Sequence, residues 1–277
     1  MCIVNGFFSE FRSISCGIRQ GTILGSLLFL IFVNDLPNCL KHCNARLYAD
    51  DTSLNASGSH LKVIEPLMNA DLKHVSSWLI ANKLTLNVIK TVFMAVGSRQ
   101  RLATMDGDIN LRINDTSLCR FQNTKCLVQV DENLTWKRHG EHIIKKAVCN
   151  ISILRGASTI LTLENKVTIY KSIIEPYFNY CCLVWDGISE TLSNKLQRLQ
   201  NRAARVITDL PYTVRSEEIR KQLGWSSLLE MRNQHKAVMM YKIVHGLAPS
   251  YMADMFTSQQ GSQTYNPKEF FTEFRNS

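Results

Sequence analysis

The sequence predicts an α+β fold for this chain of 277 residues, which is long enough for one large or two ordinary domains. Short segments of period-two alternation and tight turns occur up to about residue 136, and helical periods dominate after it. The chain is 45% apolar and 20% charged, which excludes a disordered or low-complexity protein. We therefore predict a mixed domain over residues 1–136, a helical region over 137–252 and a poorly ordered tail over 253–277.

The first predicted elements are two hairpins and a helix. Asn5-Gly6 separates two short apolar segments and favours a tight turn between strands. Residues 27–33 are apolar on every side, which predicts a buried helix behind a glycine-containing loop. Residues 45–49 alternate with period two and precede Asp50-Asp51 and a second short strand, so we expect the acidic pair at a hairpin turn.

An amphipathic helix is predicted over residues 59–82, with Pro66 near its first turn. Short strands are expected at 91–96, 109–113 and 127–130, with Asn114-Asp115 as a turn. The apolar periods beyond Trp136 predict helices at 138–156, 163–182, 191–208, 215–223 and 227–245. We expect Trp136, Trp185 and Trp225 to lie in the core or at an interface rather than to stack on bases.

Composition and motifs also limit the class of protein. The apolar run 23–33 has about half of the roughly 20 residues that cross a bilayer, and the first residues lack a signal-peptide pattern. We expect an intracellular protein, in the nucleus or cytoplasm, with no membrane contact. Nine scattered cysteines, an odd number, indicate reduced buried thiols, and they lack the paired spacing of a zinc site.

The net charge is +9, and most of the excess lies after residue 97. In the predicted helix 191–208 an apolar stripe runs beside a basic one. The basic stripe consists of Lys195, Arg198, Arg202 and Arg205. These four side chains are either a surface for a nucleic-acid backbone or an ordinary solvated helix face.

The motif Tyr48-Ala49-Asp50-Asp51 is the sharpest candidate for chemistry. Neighbouring carboxylates repel each other, so the pair requires a solvent-facing turn, a basic partner or a hard metal ion. By itself the pair is either a Mg²⁺ site for phosphoryl transfer or a solvated turn.

A longer pattern surrounds this motif. It comprises the loop Ser15-Cys16-Gly17-Ile18-Arg19-Gln20-Gly21-Thr22, the stop Asn34-Asp35-Leu36-Pro37, and a downstream segment Asp131-Glu132-Asn133-Leu134-Thr135-Trp136. Together these segments resemble the reverse transcriptases of non-LTR (LINE-like) retrotransposons. The resemblance implies part of a polymerase palm followed by a helical thumb-like region, and an RNA-directed DNA polymerase as the intact enzyme.

The resemblance implies roles at the matching positions. Asp50 would bind the catalytic Mg²⁺ directly, Asp51 would support it, and Tyr48 would lie near the primer end. Gln20 and Gly21 would line the pocket for the template and the incoming nucleotide. The implied partners are an RNA template, a DNA primer and deoxynucleoside triphosphates, with no organic cofactor.

Lys90 is a candidate for the palm lysine near the triphosphate, although an exposed lysine at this position is also expected to be merely solvated.

The sequence also departs from the family pattern. Arg19 and Ser26 replace prolines, and Val128 replaces a glycine in the segment that would hold the primer. The family's upstream catalytic aspartate has no match, because the residues before Gly17 contain a single acid, Glu10. We expect the carboxyl-terminal part of a polymerase that does not polymerise by itself. One alternative is a catalytically inactive remnant that binds nucleic acid through the basic helices. The other is the product of a decayed retroelement, with no selected activity.

Overall fold

The structure is a computed structural model that describes residues 3–4, 7–8, 21–58, 60–103, 109–254 and 256. The chain forms two compact units, one of residues 1–124 and 132–134, the other of residues 125–131 and 135–277. The mixture of strands and helices confirms the predicted α+β class. The predicted tail 253–277 lies outside the described residues, apart from Ala253, Asp254 and Phe256.

The described elements follow one another as short strands with a few helices and then as helices alone. The strands are β1 (Ile3–Val4), β2 (Phe7–Phe8), β3 (Asn44–Tyr48), β4 (Asp51–Asn55), β5 (Val92–Phe93), β6 (Arg112–Ile113), β7 (Thr116–Ser117), β8 (Cys119–Arg120), β9 (Asn123–Cys126) and β10 (Val128–Asp131). The helices are α1 (Gly25–Val33), α2 (Leu61–Ala81), α3 (Arg99–Ala103), α4 (Lys137–Ala157), α5 (Leu163–Ile173), α6 (Glu175–Asn179), α7 (Glu190–Thr208), α8 (Ser216–Gln222), α9 (Leu228–Val244) and α10 (Ser250–Ala253).

The strands of the first unit pair two by two. The predicted hairpins are confirmed: β1 pairs antiparallel with β2, with Val4 opposite Phe7, and β3 pairs antiparallel with β4. The strands β6 and β7 form a third hairpin around Asn114-Asp115, whereas β5 and β8 are parallel. The predicted strand at 127–130 begins at Val128 instead, because Leu127 has a left-handed φ of 59°.

A small apolar cluster joins α2 to these hairpins. Its buried members are Leu72 of α2 together with Leu111 and Ile113, and Leu54 of β4 packs against them. The helical prediction for residues 59–82 is confirmed, and Pro66 lies at the sixth helical position, in the second turn. The helix therefore lacks one main-chain hydrogen bond in its second turn.

The prediction that helix α1 is buried is wrong. Only Val33 is buried, and the exposed fractions of Leu28 and Ile31 are 45% and 64%. The reason is that α2 packs against the turn Leu36–Cys39 that follows α1, and in the described part of the chain the other faces of α1 meet solvent. The apolar side of α2 packs against Leu111 and Ile113. Among the described residues of α1, only Val33, at the end of the helix, is buried.

The second unit is built around the packing of α4 on α7. Along α4 the residues Ile143, Ala147, Ile151 and Leu154 are buried at helical spacing, and α7 buries the predicted apolar stripe. That stripe comprises Leu192, Leu196, Leu199, Ala203 and Val206. Both helices expose their opposite faces, which carry exposed cationic residues such as Lys145 of α4 and Lys195 of α7.

The predicted helix 163–182 is two helices, α5 and α6. The break lies at Ile174, just before Pro176, whose ring would clash with the carbonyl of Ser172 in a continuous helix. Trp136 and Trp185 are buried, and Trp225 stacks on Tyr170 with ring centroids 4.0 Å apart, so the prediction for the tryptophans is confirmed.

The prediction that the cysteines are buried thiols is only partly correct. Cys43 and Cys182 are buried, but Cys119 and Cys149 are exposed because they lie on outward faces of β8 and α4. Within the described segments, no helix combines the length and apolar character needed to cross a membrane.

Candidate functional site

The two strands of the hairpin β3–β4 bring the candidate acidic residues together. The register pairs Tyr48 with Asp51, so the connection between the strands consists of Ala49 and Asp50 alone. Asp50 lies at the turn as predicted, whereas Asp51 is the first residue of β4. Ala49 has a left-handed φ of 52°, which favours glycine and costs an alanine about 1 kcal/mol. The local backbone is thus strained where the carboxylates lie.

Both carboxylates and the tyrosine at this hairpin tip are open to solvent. Asp50 and Asp51 are exposed, and the exposed fraction of Tyr48 is 64%. Neither carboxylate has an ion-pair partner among the described residues. Carboxylate oxygens are the ligands that Mg²⁺ prefers, and Mg²⁺ commonly takes only one or two of them, together with water and substrate phosphates. The donor set therefore fits a single Mg²⁺ held by the hairpin tip.

Two ions held in a clamp would require more carboxylates than the tip offers. In the described part of the chain no group of three or more histidine, cysteine, aspartate or glutamate side chains lies close enough to hold a metal.

The remaining predicted site residues are the catalytic candidate Lys90 and the pocket-lining candidates Gln20 and Gly21. Gly21 is exposed with φ of 85°, and a side chain there would meet no neighbouring atom, so the backbone angle alone favours glycine. Lys90 ends the short 3₁₀ turn Val88–Lys90 and is exposed; its backbone N–H donates to the side chain of Asn87 at 3.2 Å. The position of Gln20 falls outside the described residues.

The structure adds a residue that the sequence analysis missed. The side chain of Asp71 on α2 is fully buried, and its carboxylate accepts the backbone N–H groups of Lys41, His42 and Cys43 at 3.0, 2.8 and 2.7 Å. Burial by itself raises the pKa of this carboxyl group, but the three amide donors outweigh it and lower the pKa to about 2. These donors belong to the segment that leads directly into β3.

A signal for Asp71 was present in the sequence. It follows Met68 by three residues and precedes Val75 by four, so it belongs to the inward side of the predicted helix 59–82. A carboxylate on that side requires hydrogen-bond partners, since burying an unpaired charge costs several kcal/mol, as an order of magnitude. The burial of Cys43 beside this carboxylate raises the pKa of its thiol to about 11.

The predicted basic stripe of α7 divides into two parts. Lys195 and Arg198 are exposed and Arg202 is half-buried. The guanidinium of Arg205 donates to the hydroxyl of Ser216 and to the carbonyl of Val214, both at 2.9 Å. These contacts hold the connection between α7 and α8, so the guanidinium of Arg205 has a structural role.

A second basic face, on α4, did not emerge from the sequence. Its exposed cations are Lys137, Arg138, Lys145, Lys146 and Arg155. Glu141 is the only acidic residue of this helix. Together with Gln129 of β10 and His142, the residues at the start of α4 line a shallow open groove. The face is therefore strongly cationic and accessible.

The structure thus has an exposed acidic hairpin tip in its mixed α+β unit and exposed cationic faces on helices of the unit that follows. Residues 2–140 match the family described as reverse transcriptase (RNA-dependent DNA polymerase). The match covers half of the chain, and the chain belongs to this family.

Curated relatives support the same assignment. The chain is 26% identical over 248 residues to the probable RNA-directed DNA polymerase from transposon BS of Drosophila melanogaster, covering 85% of this chain and 27% of the relative. It is 26% identical over 226 residues to the RNA-directed DNA polymerase from mobile element jockey of Drosophila funebris, covering 78% and 24%. It is 23% identical over 234 residues to the probable RNA-directed DNA polymerase from transposon X-element of Drosophila melanogaster, covering 82% and 25%.

The chain thus spans about a quarter of the length of the curated relatives it matches. No solved structure matches it.

Proposed function

We propose that this chain is part of the reverse transcriptase of a non-LTR retroelement, and that the hairpin tip is its metal-binding part. In this proposal, residues 1–136 are the carboxyl-terminal part of the palm and residues 137–252 a helical thumb-like region, acting inside the cell. The observation that carries the proposal is the tip of β3–β4, where Asp50 and Asp51 lie next to each other and exposed. The family match and the relatives support it.

The proposed reaction is template-directed transfer of a nucleotide to a DNA primer on an RNA template. Mg²⁺ bound at the tip would supply positive charge that stabilises the transferring phosphate. Asp50 and Asp51 would hold the ion, and Tyr48 would lie beside the primer end because it is the cross-strand neighbour of Asp51.

Three further residues complete the proposed substrate site. Gln20 and Gly21 would line the pocket for the template and the incoming deoxynucleoside triphosphate. Lys90, exposed on its own turn, would neutralise the leaving pyrophosphate.

A titration with Mn²⁺, an ion that electron paramagnetic resonance detects directly, tests the metal site. We expect the chain to bind Mn²⁺ and Asp50→Asn to weaken that binding, whereas Asp115→Asn removes a similarly exposed turn carboxylate without effect. Equal binding by all three proteins would refute the proposed site.

A primer-extension assay on an RNA template then tests whether the site is complete. We expect no extension by this chain, because the described residues provide no third ligand. Extension that Asp50→Asn abolishes would show that another acid completes the clamp.

The second candidate function is binding of nucleic acid without catalysis, and the cationic faces of α4 and α7 favour it. Each phosphate contact of a cationic side chain contributes about 0.9 to the slope of log affinity against log salt on duplex DNA. Changing Lys137, Lys145 and Lys146 together to glutamine is therefore expected to weaken binding of a labelled duplex and to reduce this slope by about 2 to 3.

The change of Lys195 and Arg198 to glutamine gives the matched test of the α7 face, since both are exposed. An unchanged salt slope in both variants would refute the nucleic-acid-binding proposal for these helices. A changed slope in one variant only would assign the contact to that helix.

A further inference from the structure

We propose that Asp71 is a positioning residue for the hairpin β3–β4 and thereby sets where Asp50 and Asp51 lie. The inference rests on the proposed function, because it assumes that this hairpin tip binds the metal ion. It concerns a residue that lies outside the acidic motif and on a different element, α2.

The entrance to the hairpin is held by the carboxylate of Asp71. Three consecutive backbone N–H groups, those of Lys41, His42 and Cys43, point at its two oxygens, and Asn44 is already the first residue of β3. Among the described residues Asp71 is the only buried carboxylate. A charged acceptor with three donors forms strong, directional bonds, so the direction in which the chain enters β3 is fixed relative to α2.

The second strand is held by the neighbouring residue of the same helix. Leu72 belongs to the buried apolar cluster of this unit, and Leu54 of β4 packs against that cluster. In the hairpin Leu54 lies opposite Ala45, two residues after Cys43. Adjacent residues of α2 thus fix both strands at the base of the hairpin, one by hydrogen bonds and the other by apolar contact.

The tip is far from these two attachments, so a small change at the base moves it considerably. Tyr48 follows Cys43 by five positions along the chain, and at about 3.3 Å per residue the tip lies about 17 Å from the Asp71 anchor. If the β3 attachment is lost, the hairpin can pivot about the Leu54 contact. Asp51 lies three residues, or about 10 Å, from Leu54, so a tilt of about 10° would displace the carboxylates by about 2 Å, more than the roughly 0.5 Å that a metal site tolerates.

Asp71→Asn is the variant that tests this role. The amide keeps the size of the side chain, removes its charge, and brings an NH₂ donor into a pocket that already contains three donors. The matched control is Asp115→Asn, which makes the same chemical change at an exposed turn of the same unit. The measurement is the dissociation constant for Mn²⁺, with Asp50→Asn as the variant that defines the loss of the site.

We expect Asp71→Asn to weaken Mn²⁺ binding about tenfold, the lower end of the range for partners that orient metal ligands, while Asp115→Asn leaves it unchanged. Equal affinities in the two variants would overturn the positioning role and leave the metal site standing. If the unaltered chain binds Mn²⁺ no more tightly than Asp50→Asn does, the metal site itself is refuted. This inference is then refuted as well.

Hydrogen exchange in the unaltered chain separates positioning from simple stabilisation and does not require the variant to fold. If the anchor and the tip form one rigid lever, Mn²⁺ at the tip slows exchange of the amides of Lys41, His42 and Cys43 several-fold. Slower exchange at residues 48–51 with no change at residues 41–43 would overturn the proposal. If Asp71 only stabilises the fold, metal binding leaves the anchor unaffected, and exchange slows at residues 48–51 but not at residues 41–43.

Discussion

Asp71→Asn is expected to destabilise the first unit and to remove much of the pH dependence of its stability in acid. The folded unit holds the pKa of Asp71 at about 2, against an ordinary value of 3.8, because three backbone amides stabilise the carboxylate. A shift of this size corresponds to about 2 kcal/mol of folding free energy at 1.36 kcal/mol per pKa unit.

The direction of the pH effect follows from the lowered pKa in the folded state. The stabilisation is fully present above the unfolded pKa, near 4, and is lost as the pH falls from there towards 2. The difference in unfolding free energy between the unaltered chain and Asp71→Asn is therefore about 2 kcal/mol at pH 7 and shrinks between pH 4 and pH 2. The added NH₂ group replaces an oxygen that accepts backbone N–H groups, so at least one of these donors loses its acceptor and the cost at pH 7 increases further.

Hydrogen exchange of the α2 amides in increasing urea measures this unit separately from the second one. Asp115→Asn is the control and is expected to change the unfolding free energy by less than about 0.5 kcal/mol. A difference below about 0.5 kcal/mol for Asp71→Asn at pH 7, or one that stays constant between pH 5 and pH 2.5, would refute the reasoning.

Three further outcomes are expected. Leu196→Ala, at a fully buried position of α7, is expected to lower the free energy of unfolding by about 3 kcal/mol, as measured by thermal unfolding. Ile153→Ala, on the exposed side of α4, is expected to lower it by less than about 1 kcal/mol. Equal losses of stability in the two variants would contradict the packing of α4 on α7. Iodoacetamide at pH 8 is expected to modify the exposed Cys149 much faster than the buried Cys43, whose thiol has a pKa of about 11, as mass spectrometry of the native chain would report. Ile31→Lys on the exposed face of α1 is expected to raise solubility with less than about 0.5 kcal/mol change in stability, and a large destabilisation would show that this face is covered.

Helical spacing predicted only in part which basic side chains of α4 and α7 are accessible. The spacing in residues 191–208 correctly separated the buried stripe from the cationic one. The spacing could not show that the guanidinium of Arg205 donates hydrogen bonds to Ser216 and Val214, because those partners follow the helix in the chain. The apolar periods of residues 138–156 do not predict the cationic face of α4, because they locate the buried side of the helix and not the charges on the opposite side.

The hairpin that carries the acidic pair was predictable for a local reason. Period-two alternation on either side of a short polar connection leaves few alternatives to a tight turn, and the structure differs only in that Asp51 begins β4. The predicted burial of α1 was wrong because burial, unlike a hairpin turn, depends on residues far away in the chain. The apolar residues of α1 determined that a helix forms, but burial depends on packing partners, and among the described residues only Val33 of α1 is buried.

The sequence by itself determined the α+β class, most helices and hairpins, the acidic motif and the family, because each depends on residues that lie close together in the chain. Only the tertiary structure decided which apolar faces are covered, which cations remain accessible, and that Asp71 holds the entrance to β3. The donors of Asp71 lie 28 to 30 residues before it. Short-range periodicity carries no information about a hydrogen bond across that distance, since the bond exists only once the chain has folded.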